Sequence, residues 1–149
     1  MRFRIVLMTV VLTLAACAQQ TTTPAGAVAP VTTAQLLNTY WKLTQLGDEV
    51  IATPEGAREL HFVLESENQR MHGFAGCNNI TGEYVLDGDA LKFDQVASTM
   101  MACAEPTGPE SRFNEMLSQV ARWKITGDTL LLLDTDNKPV ATFESRYLK

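Results

Sequence analysis

From residue 40 onward the chain alternates between apolar and polar positions. In "YWKLTQ", Trp41 and Leu43 take one face while Tyr40, Lys42 and Thr44 take the other, the two-residue period of a half-buried strand. Gly47-Asp48 then turns the chain into a short run, Glu49–Ala52, and "TPEGAR" reads as a loop. "ELHFVLE" repeats the period, with Leu60, Phe62 and Leu64 on one face and His61 and Val63 on the other. The polar turn "SENQ" leads into "RMHGFAG" as a hairpin partner. "GEYVL" and "ALKFDQV" flank Asp87-Gly88-Asp89, a strong hairpin signal because Asp-Gly tolerates the positive φ of a tight turn. "RWKIT", "TLLLLD" and "PVATFESRYL", separated by Gly127-Asp128 and "TDNK", predict three consecutive antiparallel strands.

The period changes once, after Pro109. Phe113, Met116, Leu117 and Val120 recur at helical spacing and predict one apolar face of a helix. Pro109 suits its first turn, and Thr107 or Ser111 is a candidate cap. Residues 34–38 are expected to form one further helical turn. The result is an α+β pattern of about eight short strands and one main helix, and its short turns exclude parallel crossovers, so the sheet is antiparallel. A single amphipathic helix cannot bury its face alone, so it must pack on the concave side of a strongly curved sheet. Beyond the Gly-Asp turns at 47–48, 88–89 and 127–128 there is no internal repeat.

The amino-terminal stretch "MRFRIVLMTVVLTLAAC" follows a different logic. Arg2 and Arg4 precede an apolar run, and small residues lead to Cys17. That order describes a secretory signal, and the run falls short of the roughly 20 apolar residues of a membrane span. "LAAC" resembles the lipobox of bacterial lipoproteins. The resemblance implies diacylglycerol on the Cys17 sulfur, cleavage before it, and acylation of the new amine. Several acyl chains anchor stably where one does not. Ala18 at the next position resembles cargo sorted to the outer membrane, facing the periplasm. Residues 1–16 therefore read as a lipoprotein signal peptide, 17–33 as a lipid-anchored flexible tether rich in Thr, Ala and Pro, and 34–149 as one domain.

Charge narrows the partners. The chain carries 12 basic and 17 acidic side chains, a net charge of −5, and loss of Arg2 and Arg4 makes it more acidic still. With no Lys/Arg cluster, phosphate backbones would repel it, so nucleic acid is excluded as a partner. Nor is there a polybasic supplement to the anchor, and membrane attachment is expected through Cys17 alone.

The chemistry-bearing stretch is "HGFAGCNNITGEY", residues 72–84. With Cys17 acylated, Cys77 and Cys103 remain, and an oxidising compartment favours a disulfide between them. That bridge would close a loop of about 27 residues, for which chain entropy gives roughly 3.5 kcal/mol. Cys77 as a nucleophile would need a base, and the chain has only His61 and His72. A metal site from the cysteines and histidines fits no compact ligand spacing. No catalytic residue, metal or cofactor is assigned. Gly73 and Gly76 lack the Lys-Ser/Thr that a phosphate loop requires, so they read as bends, with Asn78 bonding local backbone. Strand alternation predicts one of Met100 and Met101 in the core and one partly exposed. "LLLL" at 130–133 predicts a strand apolar on both faces.

"GFAGCNNITGEY" followed by "LKFDQVASTMMAC" resembles the META domain, or HslJ-like, family. The matching residues are Gly73, Gly76, Cys77, Asn78, Gly82 and Tyr84, then Leu91, Phe93, Ala97, Thr99, Met101, Ala102 and Cys103. The likeness covers residues 36–148. It implies a strongly curved antiparallel sheet, or incomplete barrel, around one helix, in a family of envelope lipoproteins some of which are linked to stress. It supplies no catalytic residues. The expected function is a non-enzymatic envelope module that binds an apolar ligand, lipid or peptide, or protects under stress. The alternatives are a surface-acting inhibitor of another envelope protein and a hydrolase using Cys77.

Overall fold

The structure is a computed structural model, and it describes residues 33–102 and 108–146. Cys17, Cys103 and Thr107 lie outside them. In chain order the elements are β1 (Tyr40–Leu46), β2 (Glu49–Val50), β3 (His61–Leu64), β4 (Arg70–Phe74), β5 (Asn79–Asp87), β6 (Ala90–Ser98), α1 (Pro109–Gln119), β7 (Arg122–Thr126), β8 (Thr129–Leu133) and β9 (Pro139–Arg146).

The described strands form one nine-stranded sheet in the order β2-β1-β3-β4-β5-β6-β7-β8-β9, and β1 also pairs with β9. Every pairing is antiparallel, as the short turns require. The sheet is thus ring-like and strongly curved, with one helix packed against it. The narrow seam lies between β6 and β7, which share the single register pair Ala90↔Arg122. Side chains reinforce it: Trp123 Nε1 donates to Gly88 O at 3.1 Å, and Arg122 pairs with Asp89 at 3.1 Å.

The inward positions are those that the alternation marked. Trp41, Leu43, Phe62, Leu64, Leu130 and Leu132 are fully buried. The helix adds Phe113, Met116 and Leu117 to the same core, so the concave face is filled by side chains. Phe62 meets Phe143 edge-on at 4.8 Å between ring centroids, and Phe143 meets Phe113 at 6.2 Å, which ties β3, β9 and α1 together. Such geometry contributes beyond the area buried, by ~1 kcal/mol per pair. The buried indole of Trp41 is satisfied by donating to Leu36 O at 2.9 Å.

Close approach explains Gly73. It lies opposite Phe62, and a Cβ there would sit 2.1 Å from His61 O. No side chain fits between the two strands at that point.

Several expectations change. Residues 34–38 form a turn rather than a helix, ending at Asn38 with φ 57°. Ser111 does not cap α1; the cap position is Gly108, without a side-chain bond, although Pro109 opens the helix as expected. Met100 and Met101 are both exposed, because β6 ends at Ser98 and strand alternation does not reach them. The outward leucines of β8, Leu131 and Leu133, are half-buried between Lys124 and Thr142 and between Arg122 and Pro139.

Candidate functional site

The turn 75–78 joins β4 to β5 and rests on the start of α1. Gly76 has φ +118°, a conformation for glycine, and a Cβ there would stand 3.2 Å from Pro109 Cγ. The Ala75 amide closes the turn on Asn78 O at 3.0 Å. Cys77, the one cysteine among the described residues, is disulfide-bonded. Cys103, its expected partner, is outside those residues.

Asn78 is the centre of this region, and it works over long range. Its backbone amide donates to Glu110 Oε2 at 2.9 Å, and its Nδ2 donates to Glu110 Oε1 at 3.0 Å. Its Oδ1 accepts from Thr99 Oγ1 at 2.7 Å and from the Met101 amide at 2.8 Å. One buried asparagine therefore fastens the Cys77 turn to the first turn of α1 and to the segment after β6. The expectation that Asn78 bonds local backbone does not reach these distant partners. Glu110 also suits its place electrostatically, since a carboxylate in the first helical turn meets the positive end of the helix dipole. The sequence shows the acid after Pro109, but not which residue it holds.

Beside this junction opens a cleft of about 460 Å³. Val50, Ile51, Ala52, Pro54, Ala57 and Leu60 form one wall, Gly76, Gly108 and Pro109 the other, with Glu49, Arg58 and Arg112 also lining it. Val50 is 77% exposed. Arg58 lies 4.2 Å over the Phe74 ring and donates to Asn79 Oδ1 at 2.6 Å, which fixes its direction. Arg112 pairs with Glu49 at 2.5 Å on a half-exposed surface, where such a pair adds little stability. A second, smaller cleft of about 270 Å³ is also lined by Arg112, with Asp48, Met116 and Lys138. The lining of the larger cleft thus combines apolar side chains with two guanidinium groups and one carboxylate, and Glu49 already partners Arg112.

The histidines are occupied elsewhere. His72 pairs with Glu65 at 3.0 Å on the exposed face. His61 is buried under Tyr40, with ring centroids 4.2 Å apart, and its Nδ1 lies 2.9 Å from Glu59 O, placing the proton on that nitrogen. Burial, above all, lowers the His61 pKa below its ordinary value. Among the described residues no group of three or more His, Cys, Asp or Glu is placed to hold a metal ion.

The family model described as META domain matches residues 34–147. The chain belongs to the META domain family. Among solved structures, an NMR structure of a Burkholderia xenovorans protein is 27% identical, with a TM-score of 0.61 over 76% of this chain and 85% of that one. A second NMR structure is 23% identical, with a TM-score of 0.58 over 74% of this chain and 91% of the other. A crystal structure of a DUF4847 family protein from Bacteroides vulgatus shares the fold at 12% identity, with a TM-score of 0.54 over 76% and 96% of the two chains. No curated protein sequence matches. In this META domain the segments that carry the family likeness have physical jobs. Gly73 admits a neighbouring strand, Gly76 admits α1, and Asn78 with Thr99 and Met101 forms the junction beside the cleft.

Proposed function

We propose that this META domain is a non-enzymatic binding module of the cell envelope, anchored through lipidated Cys17, whose ligand site is the cleft between the 49–60 segment and the start of α1. The observation that carries the reading is the cleft itself. It has the volume of a small-ligand site, its lining sets a run of apolar side chains beside Glu49, Arg58 and Arg112, and it opens outside a concave face already filled by α1. The ligand class is an apolar chain, lipid or peptide. A disulfide at Cys77 supports a scaffold rather than a nucleophile, because a half-cystine has no thiolate to offer. Native mass spectrometry of the purified chain, with envelope lipids and peptides added, tests this: one bound ligand per chain is expected. Absence of any adduct across both classes contradicts it.

A second reading is a protective or inhibitory contact with another envelope protein. It is favoured by the exposed apolar side chains Val96, near the end of β6, and Met100 and Met101, just beyond it. A photocrosslinker placed at Met100 in cells would then give one dominant adduct.

A further inference from the structure

Outside the signal stretch the chain has four methionines, and the fold sorts them into two classes. Met71 is fully buried and Met116 is 3% exposed. Both belong to the core, and oxidation there would put a polar sulfoxide among packed side chains. Met100 is 100% exposed and Met101 54% exposed. A thioether in solvent reacts with oxidants according to its access, and Met100 has complete access.

The backbone that carries this pair is held independently of the thioethers. The Met101 amide is fixed to Asn78 Oδ1 at 2.8 Å, and Thr99 is fixed to Asn78 and to Asn79. Adding oxygen at Met100 therefore removes no core contact.

We propose that Met100 is an oxidant-accepting modification site of this domain, taking one oxygen atom from a two-electron oxidant of the hydroperoxide class. In the step, the Met100 sulfur lone pair attacks one peroxide oxygen. The S–O bond forms as the O–O bond breaks. The sulfur is oxidised by two electrons, the peroxide is reduced, and the departing oxygen takes the proton from the new S–OH group, leaving as water from hydrogen peroxide or as an alcohol from an alkyl hydroperoxide. The product is methionine sulfoxide, a state that reductases reverse. Exposure alone assigns the site, and the inference stands whether or not the cleft binds a ligand.

The test is a time course of the full native chain in dilute hydrogen peroxide, read by peptide mapping for the added oxygen at each methionine, with near-ultraviolet circular dichroism followed in parallel. Met100 is expected to convert first, at the rate of N-acetylmethionine amide, and at least about tenfold faster than Met71 and Met116, with the dichroism unchanged. In urea the four rates should converge. The variant Met100→Leu should lose the fastest phase while keeping its melting temperature. Conversion of Met100 no faster than Met116 in the folded chain overturns the assignment, and so does loss of the native dichroism in step with Met100 oxidation.

Discussion

Asn78 and Glu110, thirty-two residues apart, are joined by both the backbone amide and the side-chain amide of the asparagine, and this clasp fixes the helix to the Cys77 turn. The same asparagine spends its oxygen on Thr99 and Met101. Its chemistry is matched on both ends, with donors to a carboxylate and an acceptor to a hydroxyl and an amide. The cleft wall formed by Gly76, Gly108 and Pro109 is built on that clasp.

Replacing Asn78 with alanine removes the side-chain bonds at both ends and leaves only its backbone amide on Glu110 Oε2. The Met101 amide and the Glu110 carboxylate lose partners, and hydrogen bonds to a charged group are worth about 1.5–3 kcal/mol. Asn78→Ala should lower unfolding stability by about 2–3 kcal/mol, measured by urea denaturation. A midpoint equal to that of the parent would show that the side-chain bonds of Asn78 contribute nothing.

Gly73→Ala should be among the most damaging small changes in the sheet. The added methyl meets a backbone oxygen at 2.1 Å, and backbone cannot rotate away as a side chain would. A loss of about 3 kcal/mol is expected, with a lower melting temperature and no change in the slope of the urea transition.

The buried His61 makes stability depend on pH. Its folded-state pKa lies below the 6.5 of the unfolded chain, chiefly because burial disfavours the charged ring. The unfolded state therefore binds the proton more readily. The stabilisation is complete above about pH 6.5 and is lost as pH falls through the folded value. The urea midpoint should fall as pH drops below about 6.5, and His61→Phe, which keeps a ring under Tyr40, should flatten that fall. Equal slopes for parent and variant would remove His61 as the cause.

Much of this architecture was legible because strand alternation and helical spacing are local signals. Leu60, Phe62 and Leu64, and the helical face of Phe113, Met116 and Leu117, are buried where the pattern put them. What stayed hidden depends on distant residues. Nothing local says that β1 closes on β9, or that Asn78 reaches Glu110 rather than its own turn. Met100 and Met101 were misread for a related reason. Alternation assumes a continuing strand, and the Asn78 junction ends the β6 ladder just before them. The cleft is made by three separated segments, so no single motif announces it.

The covalent expectation at Cys77 has its own direct check. A non-reducing peptide map of exported protein should recover Cys77 joined to Cys103, and reduction should cost roughly 3.5 kcal/mol of stability. Recovery of both cysteines as free, alkylated thiols would contradict the bridge.

The binding proposal is tested most directly by ligand retention in native mass spectrometry, comparing the parent with Ala57→Trp. Ala57 lines the cleft on an exposed loop, so the larger ring can fill the space without entering the core. One lipid or peptide adduct on the parent, lost from the folded variant, is the expected result. An adduct retained equally by both, or carried by neither, would contradict a ligand site in that cleft.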